Sequence, residues 1–206
     1  MKTPIFESID WLGSIAFNEG LTRQEETVER ILAGDSGSAF FLLEHEPVYT
    51  IGRTRDRRSL NEDSLPYPAI EINRGGQATF HGPGQLVGYA VADLRKSERD
   101  LHAHLRWLEE LVIDLCQIHG VKATRREGLT GVWCEDRKIA SIGVGVRKWI
   151  TMHGFALNVT AESLAGFSSI IPCGIDGVVM TSLEAEAGMP LEVEKVAGKC
   201  GTLLAR

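Results

Sequence analysis

Hydrophobic spacing switches between two periods along the chain, and the switch points outline its elements. Residues 9–33 carry apolar positions at roughly helical intervals with Glu, Arg and Gln between them, which predicts an opening helix ending near Gly34. Residues 39–44 read as a short buried strand, and 47–58 as an extended piece running into a basic loop. Residues 69–74 and 85–93 read as strands on either side of a glycine-rich turn. The clearest helix spans 99–119, where Leu101, Leu105, Leu108, Val112, Leu115 and Ile118 form one apolar stripe. Trp107 and His104 on that helix are assigned to packing or surface. Residues 129–160 predict two or three successive strands, with breaks at Glu135–Arg137 and at Lys148–Trp149. A last helix is expected over 191–204, with Pro190 near its start.

Strands and helices are interspersed without a regular βαβ beat. That favours an α/β (α+β) fold, a mixed sheet with packed helices, in one domain spanning residues 1–206. Composition agrees with a globular chain: 43% hydrophobic and 24% charged residues. The longest apolar run, Ala39 to Leu43, is far below the roughly 20 residues needed to span a bilayer. The acidic N-terminal stretch has no cleavage pattern, so a cytoplasmic location is expected. There the four cysteines, Cys116, Cys134, Cys173 and Cys200, stay reduced, and their wide spacing fits neither a disulfide framework nor a zinc site. The net charge of −6 counts against general nucleic-acid binding. Basic clusters remain at Arg53, Arg55, Arg57 and Arg58, at Arg125 and Arg126, and at Arg147 with Lys148. They are either solvated loop charge or a docking patch for an acidic partner.

Three stretches hold more glycine and small residues than a core requires. The first runs Arg74, Gly75, Gly76, Gln77, Ala78, Thr79, Phe80, His81, Gly82, Pro83, Gly84, Gln85. Such a backbone can approach a ligand closely, although a tight hairpin with an incidental histidine is the alternative. It lacks the Lys-Ser/Thr pair of a phosphate loop. In the second, strand alternation puts Ala140, Ile142, Val144 and Val146 on one face and Ser141, Gly143 and Gly145 on the other. In the third, Gly154, Ala156 and Asn158 share a face beside Phe155. A strand face without bulk marks close approach by a ligand or by another backbone. Two such strands side by side would leave a slot for a slim chain. Lys138 falls by strict alternation on the face away from the glycines, but it sits at a turn where parity is weak. Cys173, between Pro172 and Gly174, suits a nucleophile on a tight loop. With an ordinary thiol pKa of about 8.5, it needs a nearby cation or helix N-terminus to ionise at neutral pH.

At these residues the chain closely resembles the octanoyltransferases of lipoate biosynthesis. The matching pieces are EHEPVYTIGR at 44–53, RGGQATFHGPGQ at 74–85, GVW at 131–133, KIASIG from Lys138, HGFALNV from His153, PCGI from Pro172 and TSL at 181–183. The resemblance implies the fold shared by biotin ligases and lipoate-protein ligases. It implies an acyl-thioester cysteine at Cys173 and, at Lys138, a lysine that lowers that cysteine's pKa. It also implies acyl-binding segments at Arg74–His81, Ser141–Gly143 and Gly154–Ala156. Phe80 stands where the family commonly has tyrosine, which removes a hydroxyl but leaves an apolar wall. The implied donor is octanoyl-acyl carrier protein. The implied acceptors are lipoyl domains of 2-oxoacid dehydrogenase acyltransferase subunits and the glycine-cleavage H protein. No metal or other cofactor, no nucleic acid and no membrane is implied. The nearest alternative is an ATP-dependent lipoate-protein ligase of the same fold. His81 and His153 are candidates for supporting or purely structural roles.

Overall fold

The first element departs from the helical expectation. In the computed structural model, which describes residues 5–53, 60, 65–97, 99–171 and 177–205, Ser8–Ile15 form strand β1 and only Phe17–Ala33 form helix α1. The cause is a bulge. The pairing of β1 with its neighbour shifts between Trp11 and Ser14, where Gly13 takes a φ of 69°. Ile9 and Trp11 therefore pack on one face, and Leu12 and Ile15 on the other. One extra residue turns a two-residue alternation into a spacing that imitates a helix. The end of α1 is as expected: Gly34 adopts the left-handed conformation and its N–H bonds the Ile31 carbonyl.

The remaining strands are β2 (Ala39–His45), β3 (Val48–Ile51), β4 (Ala69–Glu71), β5 (Thr79–His81), β6 (Gln85–Val91), β7 (Thr124–Arg126), β8 (Leu129–Cys134), β9 (Arg137–Arg147), β10 (Ile150–Asn158) and β11 (Val179–Met180). The helices are α2 (Leu101–Ile118), α3 (Leu183–Ala187) and α4 (Val193–Leu204). The large sheet runs β1-β2-β6-β10-β9-β8-β7, and β11 pairs with the end of β9. The β1–β2 and β11–β9 pairs are parallel and the other pairs of this sheet antiparallel. A small sheet, β4-β3-β5, lies apart from it. The α/β (α+β) mixed-sheet architecture is thus the expected one.

The predicted strands 69–74 and 85–93 do not make a hairpin. β4 pairs with β3, whereas β6 pairs with β2 and β10, and β5 intervenes. The glycine-rich segment is a crossover between two sheets. The breaks expected around 135 and 148 are turns, with Glu135, Lys148 and Trp149 all at positive φ.

Both faces of the large sheet are covered, so its central strands are nearly continuous apolar runs. On one face α2 and α4 bury a core that includes Phe40, Leu86, Leu108, Val112, Val132, Val144, Phe155, Leu157 and Val196. Leu111 and Cys116 are buried as well, while Ile118 of the predicted stripe is 45% exposed. A helix with both a sheet and α4 against it buries a wider arc than one stripe. On the other face α1 packs Val28 and Ile31 against Phe41, Leu43, Val87 and Tyr89. The small sheet has its own cluster of Tyr49, Ile51, Phe80, Phe167 and Ile170.

Candidate active site

The site grows out of the α1-side face of β6, β10 and β9. Gly154 pairs with Gly143 and Ala156 with Ser141, while on the other edge Gly154 pairs with Tyr89 and Ala156 with Val87. Directly paired residues share a face. Three strands therefore present Val87, Tyr89, Ala156, Gly154, Ser141 and Gly143 side by side, and little bulk rises from the last four. Above them lies a narrow cavity of about 50 Å³, roofed by Ile72, Arg74, Gly76, Gln77, Thr79 and His81 and closed on the α1 side by Phe17. The expected slot is present.

Its glycines serve two purposes. A side chain at Gly145 would collide with the Asn73 carbonyl, and a Cβ at Gly143 would lie 3.1 Å from the Gly75 oxygen and 3.2 Å from Arg74 Cδ. Gly75 N–H bonds the Val144 carbonyl at 2.9 Å. The bare face thus admits another backbone at Gly143 and Gly145 and leaves free space further along the strands.

Of the residues expected to bind an acyl chain, Arg74, Gly76, Gln77, Thr79, His81, Ser141, Ile142, Gly143, Gly154, Phe155 and Ala156 line this cavity. Gly75, Ala78 and Phe80 are not among the lining residues. Gly75 is taken up by its bond to β9, and Phe80 turns into the small-sheet cluster against Tyr49, Tyr67 and Phe167. The Phe80 ring also fills the space beside Gly82 and Gly166, so the missing hydroxyl falls in a packed cluster. Phe17, Ile72, Val87 and Tyr89 line the cavity without having been expected there, and His153, expected only in a supporting or structural role, lines it as well. Alternation on β6 carried the signal for Val87 and Tyr89. His153 reaches the cavity through a φ of 63°, which no spacing rule foretells.

A buried polar chain ties the roof to the sheet. His81 Nδ1 bonds Gln85 Oε1 at 2.8 Å, Gln85 Nε2 donates to Asn158 Oδ1 at 2.9 Å, and Asn158 Nδ2 donates to the Thr181 carbonyl at 3.0 Å. Thr181 N–H then bonds the Lys138 carbonyl. Arg74 is pinned by donating from Nη2 to both the carbonyl and the hydroxyl of Thr50, each at 2.9 Å. Glu44 accepts from Gly84 N–H at 2.7 Å and anchors the end of the crossover; burial raises its pKa. Burial also pushes the histidines down, His45 to about 4, His81 to about 3 and His153 to about 4, and the Arg74 cation adds to the shift at His153 and His81. At neutral pH all three are uncharged. His45 Nε2 holds the Tyr89 hydroxyl at 2.6 Å.

Lys138 is 1% exposed. Simple parity put it on the α2 side, and the β8–β9 register explains why that fails. Val132 pairs with Ala140, but Trp133 pairs with Lys138, so β9 carries one extra residue there. Ile139 and Ala140 both enter the α2-side core, as do Val132 and Cys134 of β8. Gly131 and Trp133 consequently face the other way, and Lys138 lies against both. The bulge brings the lysine onto the cavity's face, three residues and about 10 Å along β9 from Ser141. Cys173 lies outside the described residues, as do Arg55, Arg57 and Arg58. The chain that leaves its segment returns as β11, where Met180 pairs with Lys138. Cys116, Cys134 and Cys200 are buried thiols, and burial pushes Cys134 up to about 11 and Cys200 to about 12. Arg125 is paired with Glu109 and Glu110, Arg126 with Asp136 and Arg147 with Glu29. Among the described residues no group of three His, Cys, Asp or Glu side chains could hold a metal, and no helix is long and apolar enough to cross a membrane.

The site is thus a cavity floored by bare strands, with a buried lysine on the same face of a mixed sheet. The lipoyl protein ligase A/B catalytic domain family matches residues 17–204. An octanoyltransferase from Geobacter metallireducens is 51% identical over 197 residues, covering 94% of this chain and 91% of its own. One from Syntrophotalea carbinolica is 48% identical over 188 residues, covering 91% and 88%. The chain belongs to the lipoyl protein ligase A/B catalytic domain family and, within it, to the octanoyltransferases, which are acyltransferases. The fold is also that of a lipoate-protein ligase A bound with ATP, at a TM-score of 0.77 and 15% identity over 98% of this chain and 86% of the other. It extends to a biotin protein ligase from Aquifex aeolicus, at 0.60 and 14% over 97% and 69%.

Proposed function

We propose that this enzyme moves an octanoyl group from octanoyl-acyl carrier protein, through a thioester on Cys173, to the target lysine of lipoyl domains. The acceptors are those of 2-oxoacid dehydrogenase acyltransferase subunits and of the glycine-cleavage H protein, in the cytoplasm. The observation that carries this reading is the narrow cavity over Ser141, Gly143, Gly154 and Ala156, on the same sheet face as buried Lys138. A slim acyl chain fits such a slot, and its reacting end would point toward the lysine.

In this mechanism the Lys138 ammonium stabilises the Cys173 thiolate, which attacks the carbonyl carbon of the donor thioester. The carrier's sulfur leaves and takes a proton from Lys138. Lys138, now neutral, accepts the proton of the acceptor amine as that nitrogen attacks the acyl-enzyme. The C–S bond breaks, an amide remains on the acceptor, and the thiolate–ammonium pair is restored. Neither metal nor nucleotide enters the balance.

The test is transfer from octanoyl-carrier protein to a lipoyl domain without ATP. Wild-type enzyme should octanoylate the domain, and Cys173→Ser and Lys138→Ala should not. Transfer that needs ATP and free octanoate would instead mark a ligase like the structural neighbours.

A further inference from the structure

The environment of Lys138 is more specialised than burial requires. Trp133 is 1% exposed, yet among the described residues its indole N–H has no hydrogen-bond acceptor. An orphaned donor in an interior is a cost that a purely apolar ring would avoid. What the indole offers in exchange is the strongest aromatic face for a cation. Lys138 Nζ lies 5.4 Å from the ring centroid, and the Arg126 guanidinium lies 4.9 Å from it.

Room for the lysine is kept from the other side by Gly131. A Cβ there would lie 2.7 Å from Lys138 Cε and 2.7 Å from the Ala140 carbonyl, and φ is 130°. That backbone is held from α2: Glu109, fully buried, accepts from Gly131 N–H at 3.1 Å. Arg106 at 2.6 Å and Arg125 at 3.1 Å compensate the carboxylate. The β8 segment thus forms a fixed trough, with an aromatic wall and a glycine gap, in which the lysine stem lies.

We propose that Trp133 is a positioning residue for Lys138, its indole face holding the ammonium in the trough that Gly131 leaves open. This rests on the reading of Lys138 as the group that acts on Cys173. The trough accounts for a lysine, a long and flexible side chain, being held in one place.

Fluorinated tryptophans placed at position 133 keep the ring's shape while weakening its face stepwise, so the fold is retained. Two rates are measured at pH 7: alkylation of Cys173 by iodoacetamide, and reductive methylation of Lys138 followed by peptide mass spectrometry. The expected result is a graded fall in alkylation, about tenfold for the most fluorinated ring, together with faster methylation of Lys138. In a Lys138→Ala background fluorination should have no effect on alkylation, because Trp133 acts through the lysine. An equal fall in that background, or no change in either rate, would overturn the proposal. Wild-type alkylation in Lys138→Ala alone would remove the Cys173–Lys138 reading, and the methylation rate would then decide the positioning by itself.

Discussion

Strands β9 and β10 carry two opposite designs on their two faces. Toward α2 they present Val144, Phe155 and Leu157, packed into the core beneath α2 and α4. Toward α1 the intervening residues are Ser141, Gly143, Gly154 and Ala156, and a cavity stands over them. Alternation lets one pair of strands spend one face on stability and leave the other vacant for chemistry. The bulge at Ile139 and Ala140 is the exception that proves useful, since it moves Lys138 from the packed face to the vacant one.

The largest effect is expected at the reacting end. Lys138→Ala should lower ATP-independent transfer by at least about a thousandfold, while thermal unfolding shows a folded protein. Substitutions at adjacent positions should then separate the two faces. Ala156→Leu fills the slot, and octanoyl transfer should fall about 10- to 100-fold, with shorter acyl donors less affected. Leu157→Ala, one residue on, should cost about 2–5 kcal/mol of stability in urea unfolding. The folded fraction should keep its kcat/KM. Activity loss at Leu157 without destabilisation, or the reverse at Ala156, would erase the distinction.

Acid gives a third, smaller contrast. His45, His81 and His153 have folded pKa values below the ordinary 6.5, held down by burial. Above pH 6.5 they are neutral in both states and cost nothing. As pH falls from 6.5 toward about 4, the unfolded chain takes up protons that the fold refuses. Stability should decline by up to about 1.4 kcal/mol per pH unit for each histidine. Urea midpoints between pH 7.5 and 5 measure the slope. His104, on the α2 side, is pushed down to about 4 by burial and, among the described residues, has no hydrogen-bond partner for either ring nitrogen. His104→Leu should therefore flatten the acid slope slightly and leave transfer unchanged.

Much of this was legible in the sequence wherever spacing obeyed one rule at a time. The bare residues of β9 and β10 followed strict alternation, and the turns at Glu135 and Lys148 were marked by composition. Three features escaped because a single extra residue shifted the phase or because the element was too short to show a period. Gly13 converted β1 into an apparent helix. The β9 bulge hid the face of Lys138. β5, β7 and β11 are two or three residues each; β5 and β11 exist through pairing with distant strands, and β7 through pairing with the adjacent β8. The crossover 74–85 was recognised as special, but its composition could not separate Phe80, which faces the small-sheet cluster, from Thr79 and His81, which face the cavity.

In the proposed reaction the acyl chain lies over Ala156 while its carbonyl is held as a thioester on Cys173. The direct measurement is intact-protein mass spectrometry of wild-type and Ala156→Leu enzyme, each mixed with carrier proteins bearing acyl chains of four to twelve carbons, without ATP or acceptor. The predicted result is an octanoyl adduct on wild type that hydroxylamine removes and Cys173→Ser lacks, with Ala156→Leu shifted toward shorter chains. Octanoylation of Ala156→Leu at the wild-type rate, or an adduct that survives in Cys173→Ser, would contradict it.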